Sequence, residues 1–265
     1  MAERSNRRRN KHSSGAMKYV PLTMLLFAVA LFIGVAGFFR VSDILVTGAD
    51  LYSVEEIISA SGIKKGDNLL FFSKSEAENA ISTAFSYAGD VNVVVKYPST
   101  VEIQLQESTD IASVSAGGYY WIIDINGKIL EQTDLAGAAD TISITGLNLV
   151  MPEVGNNITD IPEKDEDGNK IETEPHYETQ LMYLIDILKV IHAYDAEDKI
   201  NQLDITSIAN ISFDYEGRFT VNYGEGGDGG LKFAKMVGII ESQIDETTGG
   251  TIEFDAEGGV HFIPN

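Results

Sequence analysis

The chain has 265 residues, is 44% hydrophobic and 9% aromatic, and sets 40 acidic side chains against 19 Lys and Arg for a formal charge of −21. That apolar content builds one large core or two small ones, which excludes a chain without folded cores. The lack of any cysteine excludes disulfide frameworks, thiolate zinc sites, iron–sulfur clusters and cysteine nucleophiles.

Charge is unevenly spread. Residues 1–18 hold Arg4, Arg7, Arg8, Arg9, Lys11 and Lys18 against Glu3, a head of +5, and with Arg40 also set aside the remaining body carries −27. Such a body repels phosphate backbones. Residues 19–39, "YVPLTMLLFAVALFIGVAGFF", are 21 positions without a charge, enough for a helix of about 30 Å, the hydrocarbon thickness of a bilayer. The spacing predicts one transmembrane helix over 19–39, with the basic head in the cytoplasm and the rest outside. A cleaved signal peptide is the competing reading, since Ala36 and Gly37 are small. Its apolar region is normally about 7–15 residues, and this run is longer and ends in Phe38 and Phe39.

After the apolar run, "VSDILVTG" reads as a strand with Ile44 and Val46 on one face. Ser53 and Glu56 have capping-box spacing and open a helix whose buried stripe is Val54, Ile57 and Ile58. "GIKKGDN" is a turn. Ser75 and Glu78 repeat the capping-box spacing before a second helix with Ala77, Ile81, Ala84 and Phe85 on its apolar face. "VVVKYPSTVEIQLQES" then alternates as a hairpin around Tyr97 and Pro98, with Val101, Ile103 and Leu105 facing inward.

This β-α-α-β-β order over residues 40–110 resembles a POTRA domain, a small module associated with polypeptide transport and docking. Further on, Gly117 and Gly118 mark a break, and "YYWIIDINGKILEQ" reads as a hairpin turning at Asn126 and Gly127, with Trp121 in the core. Strands follow at "TISITG" and on both sides of Glu216 and Gly217. Helices are expected at 177–194 (Leu181, Leu184, Ile185, Leu188, Ile191) and 231–244 (Leu231, Ala234, Val237, Ile240). A last strand, "TIEFDA", comes only nine residues before the final residue, so it is expected at or near a sheet edge.

The expected fold is therefore α+β. It comprises a cytoplasmic head (1–18), a transmembrane helix (19–39), the POTRA-like domain (40–110), a second α+β domain with an antiparallel sheet (111–256, with an acidic insertion at 160–176) and a tail (257–265). The whole resembles the FtsQ/DivIB family of bacterial cell-division proteins. The phrases that carry the likeness are "ILVTGADLYSVEEI", "GIKKGDNLLFF", "VVVKYPSTVEIQLQES", "WIIDINGKIL", "LKFAKMVGIIESQ" and "GGTIEFD", in that order. The resemblance implies a non-catalytic, single-pass scaffold of the divisome, at the septal cytoplasmic membrane. It further implies partners of the FtsB/DivIC and FtsL kinds, docking on Thr251, Ile252, Glu253, Phe254 and Asp255, with Val260 and Phe262 as a short return strand. The family often shows Asp followed by Arg in this strand. Here Glu253 and Asp255 stand there with no basic residue, so backbone pairing carries over and the particular salt bridges do not.

Signs of other chemistry are weak. His12, His176, His192 and His261 never fall at i,i+4, and no nucleophile elbow, Walker loop or dinucleotide fingerprint is present, so no cofactor is implied. In "EKDEDGNKIETE", Glu163, Asp165, Asp167 and Glu174 fall at positions 1, 3, 5 and 12 of a calcium loop around Gly168. Lys170 takes the place of the aliphatic eighth residue, and Pro162 and Pro175 stand where helices should flank it. A solvated insertion is the better reading. Two rival functions stay open: a POTRA-bearing transport or secretion accessory, and an anchored wall hydrolase using two of the 40 carboxylates.

Overall fold

A computed structural model describes residues 19–159, 161, 175–225, 229–255 and 258–265. The basic head (1–18) and the calcium-loop candidates Glu163, Asp165, Asp167 and Glu174 lie outside the described residues.

Helix α1 (Val20–Phe38) follows from the uncharged run, and its Leu and Phe side chains are exposed all round. Its 19 residues rise about 28 Å, just under a hydrocarbon core of about 30 Å. Among the described residues no helix is by itself long and apolar enough to cross a membrane.

The first folded unit has the expected order: β1 (Asp43–Thr47), α2 (Val54–Ser61), α3 (Lys74–Ala84), β2 (Ala88–Lys96) and β3 (Thr100–Glu107). The sheet order is β1-β3-β2, with β1 parallel and β2 antiparallel to the central β3. Both helices lie on one face, where Ile57, Ala77 and Ile81 pack against Val93, Val101, Ile103 and Leu105. The Ser53/Glu56 capping box is formed in full. The second box is not: Ser73 caps α3 by accepting from the Glu76 N–H, while the Glu78 carboxylate accepts the Val93 N–H at 2.8 Å. Val54 is exposed, so the α2 stripe is narrower than its periodicity suggests.

The second unit is a nine-stranded sheet in the order β12-β11-β10-β9-β8-β7-β4-β5-β6. Its strands are β4 (Ala112–Ala116), β5 (Tyr119–Ile123), β6 (Ile129–Thr133), β7 (Ile142–Thr145), β8 (Gln202–Asp204), β9 (Ile211–Tyr215), β10 (Phe219–Gly224), β11 (Gly250–Phe254) and β12 (Val260–Pro264). The sheet is mixed rather than purely antiparallel, because β4/β7, β7/β8 and β10/β11 are parallel. Parallel neighbours need long crossovers; α4 (Tyr177–Ala193) connects β7 to β8 and α5 (Gly229–Gln243) connects β10 to β11. Both helices contribute to one apolar core with the sheet.

Several boundaries differ from the sequence reading. Gly117 (φ 63) and Gly118 (φ 84) form the turn of the β4–β5 hairpin and do not separate domains. Asn126 and Gly127 lie in a three-residue loop, because the Asp124 N–H donates to the Lys128 carbonyl and only Gly127 takes a positive φ. On α5 the buried side chains are Phe233, Met236 and Ile240, with Leu231 exposed. The aromatic ring sets that phase: Phe233 packs against Tyr194, Phe213 and Tyr215, burying more surface than Leu231 could. Residues read as a tail include β12.

Candidate docking surface

The C-terminal corner is built by three elements. The β10–α5–β11 crossover places β11 beside β10, and β12 then folds back antiparallel, pairing Thr251 with Ile263 and Glu253 with His261. The approach is close. A Cβ on Gly250 would lie 2.8 Å from Phe262 Cε2, so only glycine lets β12 lie down at this register.

Arg218 and Lys235 hold the corner. The Arg218 guanidinium donates to the carbonyls of Asp245, Glu246 and Thr248 at 3.2, 2.9 and 3.1 Å and pairs with Glu216 at 2.5 Å. It thus locks the loop that feeds β11. Burial pushes the Glu216 carboxyl up, but its bonds to Arg218 and Lys199 outweigh this and hold it below its usual range. Lys235 reaches from α5 to the Gly258 carbonyl at 2.6 Å. Asp255 accepts from the Gly259 N–H at 2.7 Å and contacts His261 at 3.0 Å. Sequence reasoning missed both cations, since each bonds to backbone carbonyls that no side-chain pattern reveals.

The expected surface residues divide by burial. Ile252 is fully buried. Glu253 accepts from Asn222 at 3.0 Å, Phe254 sits edge-on to Tyr223 and Phe262 edge-on to Phe219. Thr251 and Val260 are half-buried. β11 is not an edge, being hydrogen-bonded to both β10 and β12; the edge belongs to β12. The Asp255 N–H donates to Gly259 and the Asn265 N–H to Gly249, which brackets the β11/β12 ladder. The alternation of an antiparallel ladder then turns the backbone groups of His261 and Ile263 toward β11, and those of Val260 and Phe262 outward. Pro264 adds no donor.

In the first unit Val101, Ile103 and Leu105 are buried in the core, and Tyr97 and Pro98 are exposed at the hairpin turn. Among the described residues no group of three or more His, Asp or Glu could hold a metal ion.

The POTRA domain, FtsQ-type, family profile matches residues 39–108. A cell division protein DivIB from Clostridium acetobutylicum is 25% identical over 78% of this chain and 75% of its own length. A DivIB from Clostridium botulinum is 23% identical over 85% of this chain and 82% of its own. Over most of its length the chain is similar to the FtsQ/DivIB cell-division proteins. It is also similar, at 28% identity, to a cell division protein FtsQ from Anaeromyxobacter over 41% of the chain and 36% of that protein. It is a cell-division protein with a POTRA domain.

Proposed function

We propose that this cell-division protein is a non-catalytic, single-pass scaffold that binds FtsB/DivIC-like and FtsL-like partners outside the cytoplasmic membrane, at the septum, by adding a partner strand to β12. The observation that carries this reading is the open edge of β12, where Val260 and Phe262 direct their backbone groups away from the sheet. Main-chain pairing supplies affinity at such an edge, and alternate side chains supply selectivity.

Anchoring is part of the same reading. α1 carries no charge and has Tyr19 and Phe39 at its ends, and the basic head precedes it. Its shortfall of about 2 Å against the hydrocarbon core is within what local bilayer thinning accommodates. An anchor confines the two folded units to the membrane surface, which raises the effective concentration of membrane-bound partners and lets a modest interface suffice.

The test is binding of the full-length chain to the extracytoplasmic segment of an FtsB/DivIC-like protein, comparing wild type with Val260→Pro and with His261→Ala. Val260→Pro removes an outward donor, whereas the backbone of His261 is already engaged by β11. Binding lost in the first and kept in the second supports strand addition at β12; equal binding by all three rules it out.

A further inference from the structure

The pole of the POTRA unit next to α1 is apolar and held in place by backbone bonds. The Val41 N–H donates to Asp67, the Gly66 N–H to Val41 and the Leu69 N–H to Phe39, at 2.9, 2.8 and 3.0 Å. The 66–69 segment is thereby zipped to the residues that immediately follow α1. The next two residues, Leu70 and Phe71, are exposed. Their turn is braced by Asn68, whose carbonyl accepts the Phe71 N–H and whose side chain accepts the Leu70 N–H.

Phe71 runs back along α1. Its ring centroid is 6.3 Å from that of Phe32, and Phe32 lies six residues before the C-terminal end of the helix, about 9 Å along its axis. A second turn closes the same pole: Ser99 accepts the N–H groups of Ser42 and Asp43, and the exposed Tyr97 ring stands edge-on to Phe39 at 5.4 Å. Arg40 follows Phe39, Lys64 and Lys65 lead into Gly66, and all three are exposed, on a body that is otherwise strongly acidic.

We propose that this pole is a second membrane contact, in which Leu70 and Phe71, with Tyr97 beside them, enter the interfacial layer of the outer leaflet around α1. The inference rests on the reading of α1 as a membrane anchor. Given that reading, a side chain packed at the depth of Phe32 lies below the headgroups. Aromatic rings with nearby Lys and Arg are the composition that interface favours. The contact would hold the POTRA unit upright on the bilayer, in place of a free tether, and so fix the height at which the second unit presents β12.

The chain has no cysteine, so single introduced cysteines report without background. Full-length Phe71→Cys, Met24→Cys and Leu51→Cys carry nitroxide labels in vesicles of phosphatidylcholine and phosphatidylglycerol, and collision with oxygen and with a water-soluble nickel complex is measured. These side chains are 68%, 73% and 63% exposed, so the substitutions spare the core. Leu51 sits at the opposite pole, where its N–H donates to Glu107 at the far end of β3. The expected result is a several-fold higher oxygen-to-nickel ratio at 71 than at 51. A label at 71 as open to nickel as that at 51, with 24 shielded, overturns the contact and leaves the anchor standing. Nickel access at 24 overturns the anchor, and the contact with it.

Discussion

The Lys128 ammonium, on the β5–β6 loop of the second unit, lies 2.7 Å from the carbonyl oxygen of Ala88, the first residue of β2 in the POTRA unit. The carbonyls of Ser82 and Phe85, at the C-terminal end of α3, stand 3.4 and 3.5 Å away. A cation from one unit thus meets the C-terminal carbonyls and the negative dipole end of a helix in the other. Asp124 reinforces the junction by accepting from Ser108 at 2.7 Å and from the Lys128 N–H at 2.9 Å.

Replacing this ammonium, as in Lys128→Met, is expected to cost about 1–3 kcal/mol in urea unfolding and to widen the distribution of distances between labels on the two units. Burial lowers the Lys128 pKa from its usual 10.5, with Asp124 pulling the other way. In the window below 10.5 the unfolded chain therefore binds more protons at this site than the folded one, and its contribution makes stability rise with pH there. Relative to wild type, Lys128→Met should lack that rise.

Ser73 and Ser75 separate the observed cap of α3 from the one that spacing alone suggests. Ser73→Ala is expected to cost about 1 kcal/mol and Ser75→Ala only a few tenths, measured by thermal or urea denaturation. The reverse order would place the helix start two residues later.

Arg218 serves three carbonyls and one carboxylate, a geometry that the lysine point charge cannot reproduce. Arg218→Lys is expected to destabilise by about 2 kcal/mol and to speed amide exchange at 245–250 before the rest of the sheet. Glu216 has a depressed folded pKa, so its contribution is fully present above the unfolded carboxylate value and is lost as pH falls through the folded one. Glu216→Gln should flatten that part of the acid denaturation curve.

Ile252→Pro and Val260→Pro distinguish a core strand from an edge. Ile252 is fully buried on a strand paired on both sides, so proline there should cost about 3 kcal/mol or more and broaden the circular dichroism melt. Val260→Pro should leave the melt within a few degrees of wild type while weakening partner binding, because proline is tolerated where the N–H faces solvent on an edge strand.

Much of the first unit was legible from residues alone. The Ser53/Glu56 box and the alternation that gives β3 its apolar face rest on interactions within a few residues or a period of two. Local signals failed where a distant group competed. Glu78 left its expected cap because the edge strand β2 presents the Val93 N–H to it, and Phe233 displaced Leu231 because three aromatic rings from other elements await it. β4, "ASVSA", and β8, three residues long, carry too little apolar alternation to stand out; their place in the sheet comes from their neighbours.

Sequence by itself determined the composition of the parts: an uncharged run after a basic head, a β-α-α-β-β unit, a second α+β unit, and family phrases in order. Each depends on spacing, charge or capping, which are properties of contiguous residues. Only the tertiary structure decided which strand is free. The sequence places its last clear apolar strand at β11, yet β12 covers it, since Gly250 admits close approach and Arg218 and Lys235 hold the flanking backbone from elsewhere in the chain. An edge is defined by what does not pair with it, and that is settled only when every other strand has found its place.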